Sequence, residues 1–199
     1  MTIMYIHGYG STGNAMKGQL LRKMLPQCNV VSPTFDYDHC TPWQIQEQIR
    51  ETVEKEDVKM IVGSSFGGYQ TLCATAFFHG PVWVINPVHG VETTIRRIFL
   101  TSFLGKQSQF NNDFLDIYKD FNAKIFCGQV QTNQSGRWPD DTPLNFALST
   151  DDELLGDHHE LLNLFPCHHE VVWKDNSGHR FLKFEELREA IGASLQGLQ

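Results

Sequence analysis

A serine between glycines carries the strongest chemical signal in the chain. Gly63-Ser64-Ser65-Phe66-Gly67 has G-x-S-x-G spacing, in which small flanking residues allow close backbone approach at a tight strand-to-helix turn. The preceding Lys59-Met60-Ile61-Val62 reads as the end of a strand, and the residues from Gly67 onward as a helix. That is the setting an exposed nucleophile requires. A helix beginning there also brings N–H groups and its positive dipole end to the place where an oxyanion would form. The competing reading is an ordinary glycine-rich loop or a phosphate cradle, but this loop has neither a Walker lysine nor G-x-G-x-x-G spacing.

A nucleophilic serine needs a base, an acid to orient that base, and donors for the oxyanion. His179 closes Asp175-Asn176-Ser177-Gly178-His179, just beyond a candidate last strand, Glu170–Trp173. From there it can take the Ser65 proton and return it to a leaving group. The chain has nine histidines. His158, His159, His168 and His169 fall on or beside a helix or at a strand start, and His39 and His79 near helix ends. His89, after the fourth strand, is the rival, and chain order disfavours it.

Asp151, Asp152, Glu153 and Asp157 crowd the turn after another strand, Leu144–Leu148. One carboxylate should orient the imidazole, and the others read as a solvated cluster at a helix start. The residues alone leave Asp151 and Asp152 both open. In His7-Gly8-Tyr9-Gly10, the Tyr9 N–H is a candidate oxyanion donor together with the Phe66 N–H, while His7 reads as a buried, hydrogen-bonded histidine. Cys167-His168-His169 beside His158-His159-Glu160 reads as polar surface rather than a metal site, because adjacent strand residues point to opposite faces. No metal and no cofactor is expected.

The elements that must position these residues alternate short apolar runs with helical stretches. Strands are expected at Ile3–Ile6, Asn29–Ser32, Met60–Gly63, Pro81–Ile85, Lys124–Gly128, Leu144–Leu148 and Glu170–Trp173. Helices are expected at Ala15–Leu25, from Thr41-Pro42 with threonine as N-cap, and at Gly67–Phe78, Glu153–Leu164 and Phe184–Leu195. The rhythm breaks over residues 88–122, where phenylalanine, leucine and isoleucine are dense and two inserted helices are expected. That insertion reads equally as a lid or acyl-chain wall and as plain core or a dimer surface. Alternation of this kind implies a mostly parallel sheet covered on both faces, with its sites at the C-terminal strand ends.

The chain of 199 residues is expected to form a single domain, 1–199. Its 41% apolar and 20% charged residues argue against disorder, and its net charge of −7 against a nucleic-acid partner. No apolar run is long enough for a membrane span, and no signal peptide is recognised. Five cysteines without C-x-x-C spacing fit reduced thiols and a cytoplasmic location.

Ser65, Asp152 and His179 follow one another in the order of an α/β-hydrolase. The series HGYGS, GSSFGGY, Asn86-Pro87, TDDELL and DNSGHRF resembles the small bacterial YqiA-like esterases over nearly the whole chain. That resemblance implies a three-layer α/β-hydrolase fold without the extra antiparallel strands at the N-terminus of larger relatives. It matches Ser65 to the nucleophile, His179 to the histidine of the family's H-[KR]-F segment, and Asp152, above Asp151, to the aspartate of its D-E-x-L turn. It also implies cofactor-free hydrolysis of short acyl esters or thioesters. Residues 88–141 are longer and more aromatic than the family's equivalent, so acyl specificity is not carried over. The expected function is a serine hydrolase of small carboxylic esters or acyl thioesters acting through an acyl-enzyme on Ser65. An idle binding module, or an acyltransferase or peptidase on the same triad, is the alternative. A homodimer is left open.

Overall fold

Side-chain alternation along one short strand divides the molecule into two cores. In the computed structural model, which describes residues 1–89, 120, 143–165 and 170–198, β1 is Thr2–Ile6. Its Met4 and Ile6 enter one apolar cluster and its Ile3 and Tyr5 the other, the period of two that a pleated strand dictates. Apolar residues on both faces mean that the sheet must be covered on both sides.

Five further strands join β1: β2 Asn29–Val31, β3 Val58–Ser64, β4 Val82–Ile85, β5 Leu144–Ser149 and β6 Glu170–Lys174. Their order is β2-β1-β3-β4-β5-β6 and every pairing is parallel. The described helices are α1 Met16–Met24, α2 Pro42–Lys55, α3 Phe66–Ala74, α4 His159–Leu164 and α5 Arg188–Gln196, the last preceded by a 3₁₀ turn at Phe184–Leu187. Ile45 and Ile49 of α2, Leu72 of α3 and Leu161 of α4 fill one core with Met4, Ile61 and Phe146. Leu21 of α1 and Ile191 of α5 fill the other with Ile3, Met60 and Trp83. The result is a helix–sheet–helix sandwich. Strand order reverses direction between β1 and β3, and the crevice at that switch is where open sheets of this kind hold their sites.

α2 starts as its sequence demands. Thr41 N-caps it, accepting the Gln44 N–H at 3.3 Å, while the Gln44 side chain takes the Thr41 N–H at 2.8 Å and Pro42 opens the first turn. α4 departs from expectation: it begins at His159 rather than Glu153. Asp152 Oδ1 accepts the N–H groups of Leu154 and Leu155 at 3.0 and 2.8 Å, and Gly156 turns with φ +80°. A side chain that captures the backbone ahead of it favours a turn over a helix. The expected strand at 124–128 and nearly all of the 88–122 insertion lie outside the described residues. No helix among the described residues is long and apolar enough to cross a membrane.

β3 and α3 meet at a crossing with no room for side chains. A Cβ on Gly67 would collide with the carbonyl oxygens of Ile6 and His7, and one on Gly63 with Thr71 Oγ1 and the Gly67 carbonyl. Gly67→Ala is therefore expected to destabilise the fold by about 1–3 kcal/mol, seen as a lower denaturant midpoint at an unchanged m-value.

Candidate active site

Ser65 sits between the last residue of β3 and the first of α3, with φ 57° and ψ −122°. A non-glycine residue there is strained by on the order of 1–3 kcal/mol and must be held by its surroundings. The holding bonds are backbone ones. The Ser65 N–H donates to the Ile85 carbonyl at 2.9 Å, and the Ser65 carbonyl accepts the N–H groups of Tyr69 and Val88, each at 3.1 Å. The turn is thus pinned to the end of β4 and to the first turn of α3.

The serine Oγ lies 2.9 Å from His179 Nε2, a contact between residues 114 apart in the chain. On the far side of the ring, His179 Nδ1 lies 2.9 Å from Asp152 Oδ2 and 3.1 Å from Oδ1. The Asp152 side chain is fully buried. Burial works against its charge, yet hydrogen bonds from His158 and His179 overcome it and hold the carboxyl well below the usual carboxylate range. Hydroxyl, imidazole and carboxylate therefore form a continuous hydrogen-bonded chain.

The rest of the acidic turn grips the loop that carries His179. Asp151 Oδ1 accepts the N–H groups of Ser177 and Gly178 at 3.0 and 3.1 Å, and Glu153 Oε2 accepts the His179 N–H at 2.8 Å. These bonds hold the Asp151 carboxyl below its ordinary range. Asp151 and Glu153 thus clamp the histidine segment rather than starting a helix. Asp157 instead binds the exposed ring of its neighbour His159.

Asn86 is a site residue that the sequence reading passed over. Fully buried at the end of β4, it donates from Nδ2 to the carbonyls of Gly178 and His179 at 2.9 and 3.1 Å, and its Oδ1 accepts the Ser149 N–H at 2.8 Å. Its φ of 39° suits asparagine better than most residues. The signal available was an asparagine before proline at a strand's C-terminal end. Asn86→Ala strips partners from buried carbonyls and is expected to cost about 1–3 kcal/mol, measurable by chemical denaturation, and to loosen the His179 loop.

The loop after β1 closes on Ser65 from the other side. A Cβ on Gly8 would meet Ser65 Cβ at 3.2 Å and Ser65 Oγ at 3.7 Å, so a larger residue there would crowd the Ser65 side chain. Tyr9 follows Gly8 in the chain and Phe66 follows Ser65, and their rings meet edge-on at 6.3 Å. Tyr9 is anchored by its hydroxyl, which donates to Asp38 Oδ1 at 2.5 Å. Of the two residues expected to supply oxyanion donors, Phe66 thus directly follows the serine and Tyr9 follows the glycine packed against it. Gly8, Gly10 and Gly13 do have the G-x-G-x-x-G spacing that the serine loop lacks and that the sequence reading overlooked, but α1 begins only at Met16, and a Cβ on Gly13 would collide with the Ser32 carbonyl. His7 is fully buried. Its Nε2 accepts the Phe35 N–H at 3.0 Å and its Nδ1 donates to the Gly8 carbonyl at 2.8 Å, and burial lowers its pKa.

His158 is where the structure corrects the sequence reading. It does stand beside a helix, just before α4, but instead of polar surface its side chain is fully buried, with Nε2 3.0 Å from Asp152 Oδ2. Cys167, His168 and His169 lie outside the described residues.

The model of a protein family described as uncharacterised, UPF0227, matches residues 2–195. No curated protein matches the chain. Similar solved structures include mouse alpha/beta hydrolase domain-containing protein 10, 16% identical with a TM-score of 0.69, covering 100% of this chain and 90% of that one. Est1E from Butyrivibrio proteoclasticus, solved with ferulic acid bound, is 12% identical with a TM-score of 0.66, covering 98% of this chain and 89% of that one. An esterase domain from a Rhodothermus marinus protein is 16% identical with a TM-score of 0.65, covering 96% and 85%. At these identities the likeness establishes the fold, that of the α/β-hydrolases.

Proposed function

We propose, for a chain that belongs to the protein family UPF0227, of YqiA-like proteins, hydrolysis of small carboxylic esters or acyl thioesters at Ser65. The observation that carries this reading is the relay from Ser65 Oγ through His179 to Asp152, with 2.9 Å at both junctions. The strained serine supports it too, since such a backbone persists only where the surroundings enforce it.

In this reading His179 Nε2 takes the Ser65 proton as Oγ attacks the acyl carbonyl. The N–H groups of Tyr9 and Phe66 stabilise the tetrahedral oxyanion, helped by the positive end of α3. His179 then protonates the departing alcohol or thiol, leaving an acyl group on Ser65. Water, deprotonated by the same imidazole, releases the acid and restores the serine. Asp152 keeps the His179 proton on Nδ1 and stabilises the imidazolium that forms in both halves. No step calls for a cofactor.

A fluorophosphonate probe tests the nucleophile directly. Wild-type protein is expected to be labelled at Ser65, and Ser65→Ala to remain unlabelled. Absence of labelling on folded wild-type protein would overturn the reading in favour of a binding module. Parallel assays with p-nitrophenyl acetate and a short acyl thioester then rank the two substrate classes.

A further inference from the structure

Asp152 has two imidazoles on it, and the proposed mechanism uses only one. We infer that His158 is a positioning residue that locks the Asp152 carboxylate in register with His179. This inference rests on the triad reading above and assigns the buried histidine a part in it.

The geometry is specific. Both His158 and the Asp152 side chain are fully buried, and His158 Nε2 donates to Asp152 Oδ2 at 3.0 Å. The other carboxylate oxygen, Oδ1, is taken by the N–H groups of Leu154 and Leu155. Backbone therefore holds one oxygen and His158 the other, so the carboxylate has anchors besides His179, whose Nδ1 reaches both oxygens. His158 Nδ1 has no hydrogen-bond partner among the described residues. A second proton there would be a buried donor without an acceptor, on a newly charged ring. Towards the carboxylate, His158 Nε2 is therefore a donor separate from His179 Nδ1, which the mechanism uses.

The neighbouring titratable groups leave that assignment intact. His89 packs edge-on against the His158 ring at 5.5 Å. Asp151 and Glu153 are engaged with the 177–179 backbone. Asp157 is exposed and paired with His159. The hydrogen bond from His158 helps keep a buried carboxylate ionised. Without it, the carboxylate leans harder on His179 and favours that ring's protonated form, so the catalytic base is lost at higher pH.

The test compares His158→Leu with His158→Gln, whose amide nitrogen can replace the imidazole donor. In His158→Leu, kcat is expected to fall on the order of 10-fold, the usual scale for outer groups that orient a functional side chain. KM should change little, and the acid limb of the kcat/KM profile should move to higher pH. His158→Gln should recover most of kcat and return the limb towards its wild-type position. A wild-type rate and profile in His158→Leu, or equal impairment in both variants with an unmoved limb, overturns the inference. Should His158→Leu fail to fold, imidazole NMR of the wild-type protein decides. A downfield His158 Nε2 proton that shifts as His179 is protonated supports the inference, and its absence overturns it. Failure of fluorophosphonate labelling at Ser65 would sink the hydrolase reading separately, with the NMR result still interpretable.

Discussion

Ser65→Ala is expected to lower kcat for p-nitrophenyl ester hydrolysis by about 10⁶-fold, the scale seen when a triad serine is removed. The substitution deletes only Oγ. The Cβ and the backbone bonds to Ile85, Tyr69 and Val88 remain, so the variant should stay folded with its strained turn in place. A loss of activity at nearly unchanged thermal stability would therefore be chemical. The same protein isolates the oxyanion site: any rate above the uncatalysed reaction would come from binding and the remaining N–H donors. If Ser65→Ala kept the wild-type rate, Ser65 would not be the nucleophile.

Asp152→Asn carries the second largest effect, about 10⁴-fold in kcat, because an amide facing His179 Nδ1 favours the wrong imidazole tautomer. Asp151→Asn is the control. Its side-chain oxygen can still accept the Ser177 and Gly178 N–H groups, so its loss should stay within about tenfold. Reversal of this ranking would move the acid role to Asp151. The two aspartates also differ in depth, Asp152 being buried and Asp151 exposed.

Stability should follow pH in step with the Asp152 charge. Its carboxyl is depressed in the folded state, so the unfolded chain binds the proton more readily. The stabilisation it contributes is fully present above the unfolded carboxylate pKa of about 3.9 and is lost as pH falls below that value towards the folded one. The difference in Tm between wild type and Asp152→Asn should thus be constant near neutrality and shrink through the acid range.

The site divides into parts that were legible in the sequence and parts that were not. Gly63, Ser65 and Gly67 are a local device. Their spacing reflects contacts within one strand-to-helix turn, so the sequence alone carries the steric requirement. Short continuous apolar runs likewise announce strands buried on both faces, and Thr41-Pro42 announces the start of α2. Asp152 was reached through the likeness of Asp152-Glu153-Leu154-Leu155 to a family turn, not through chemistry, because three acids in a row differ only in where each points. Glu153 was misread as part of a helix start because capture of N–H groups by Asp152 is invisible until the turn exists.

The sequence by itself determined the alternating strands and helices and the sharp turn at Ser65, because both arise from interactions among near neighbours. Only the tertiary structure decided that Asp152 faces the His179 imidazole while Asp151 and Glu153 hold its backbone, that Asn86 ties the loop to β4, and that His158 shares the carboxylate. These contacts join residues up to 93 apart along the chain, or turn on one side chain's direction out of a bend. Such choices are made by the packing of parallel strand ends side by side, which residue spacing does not encode.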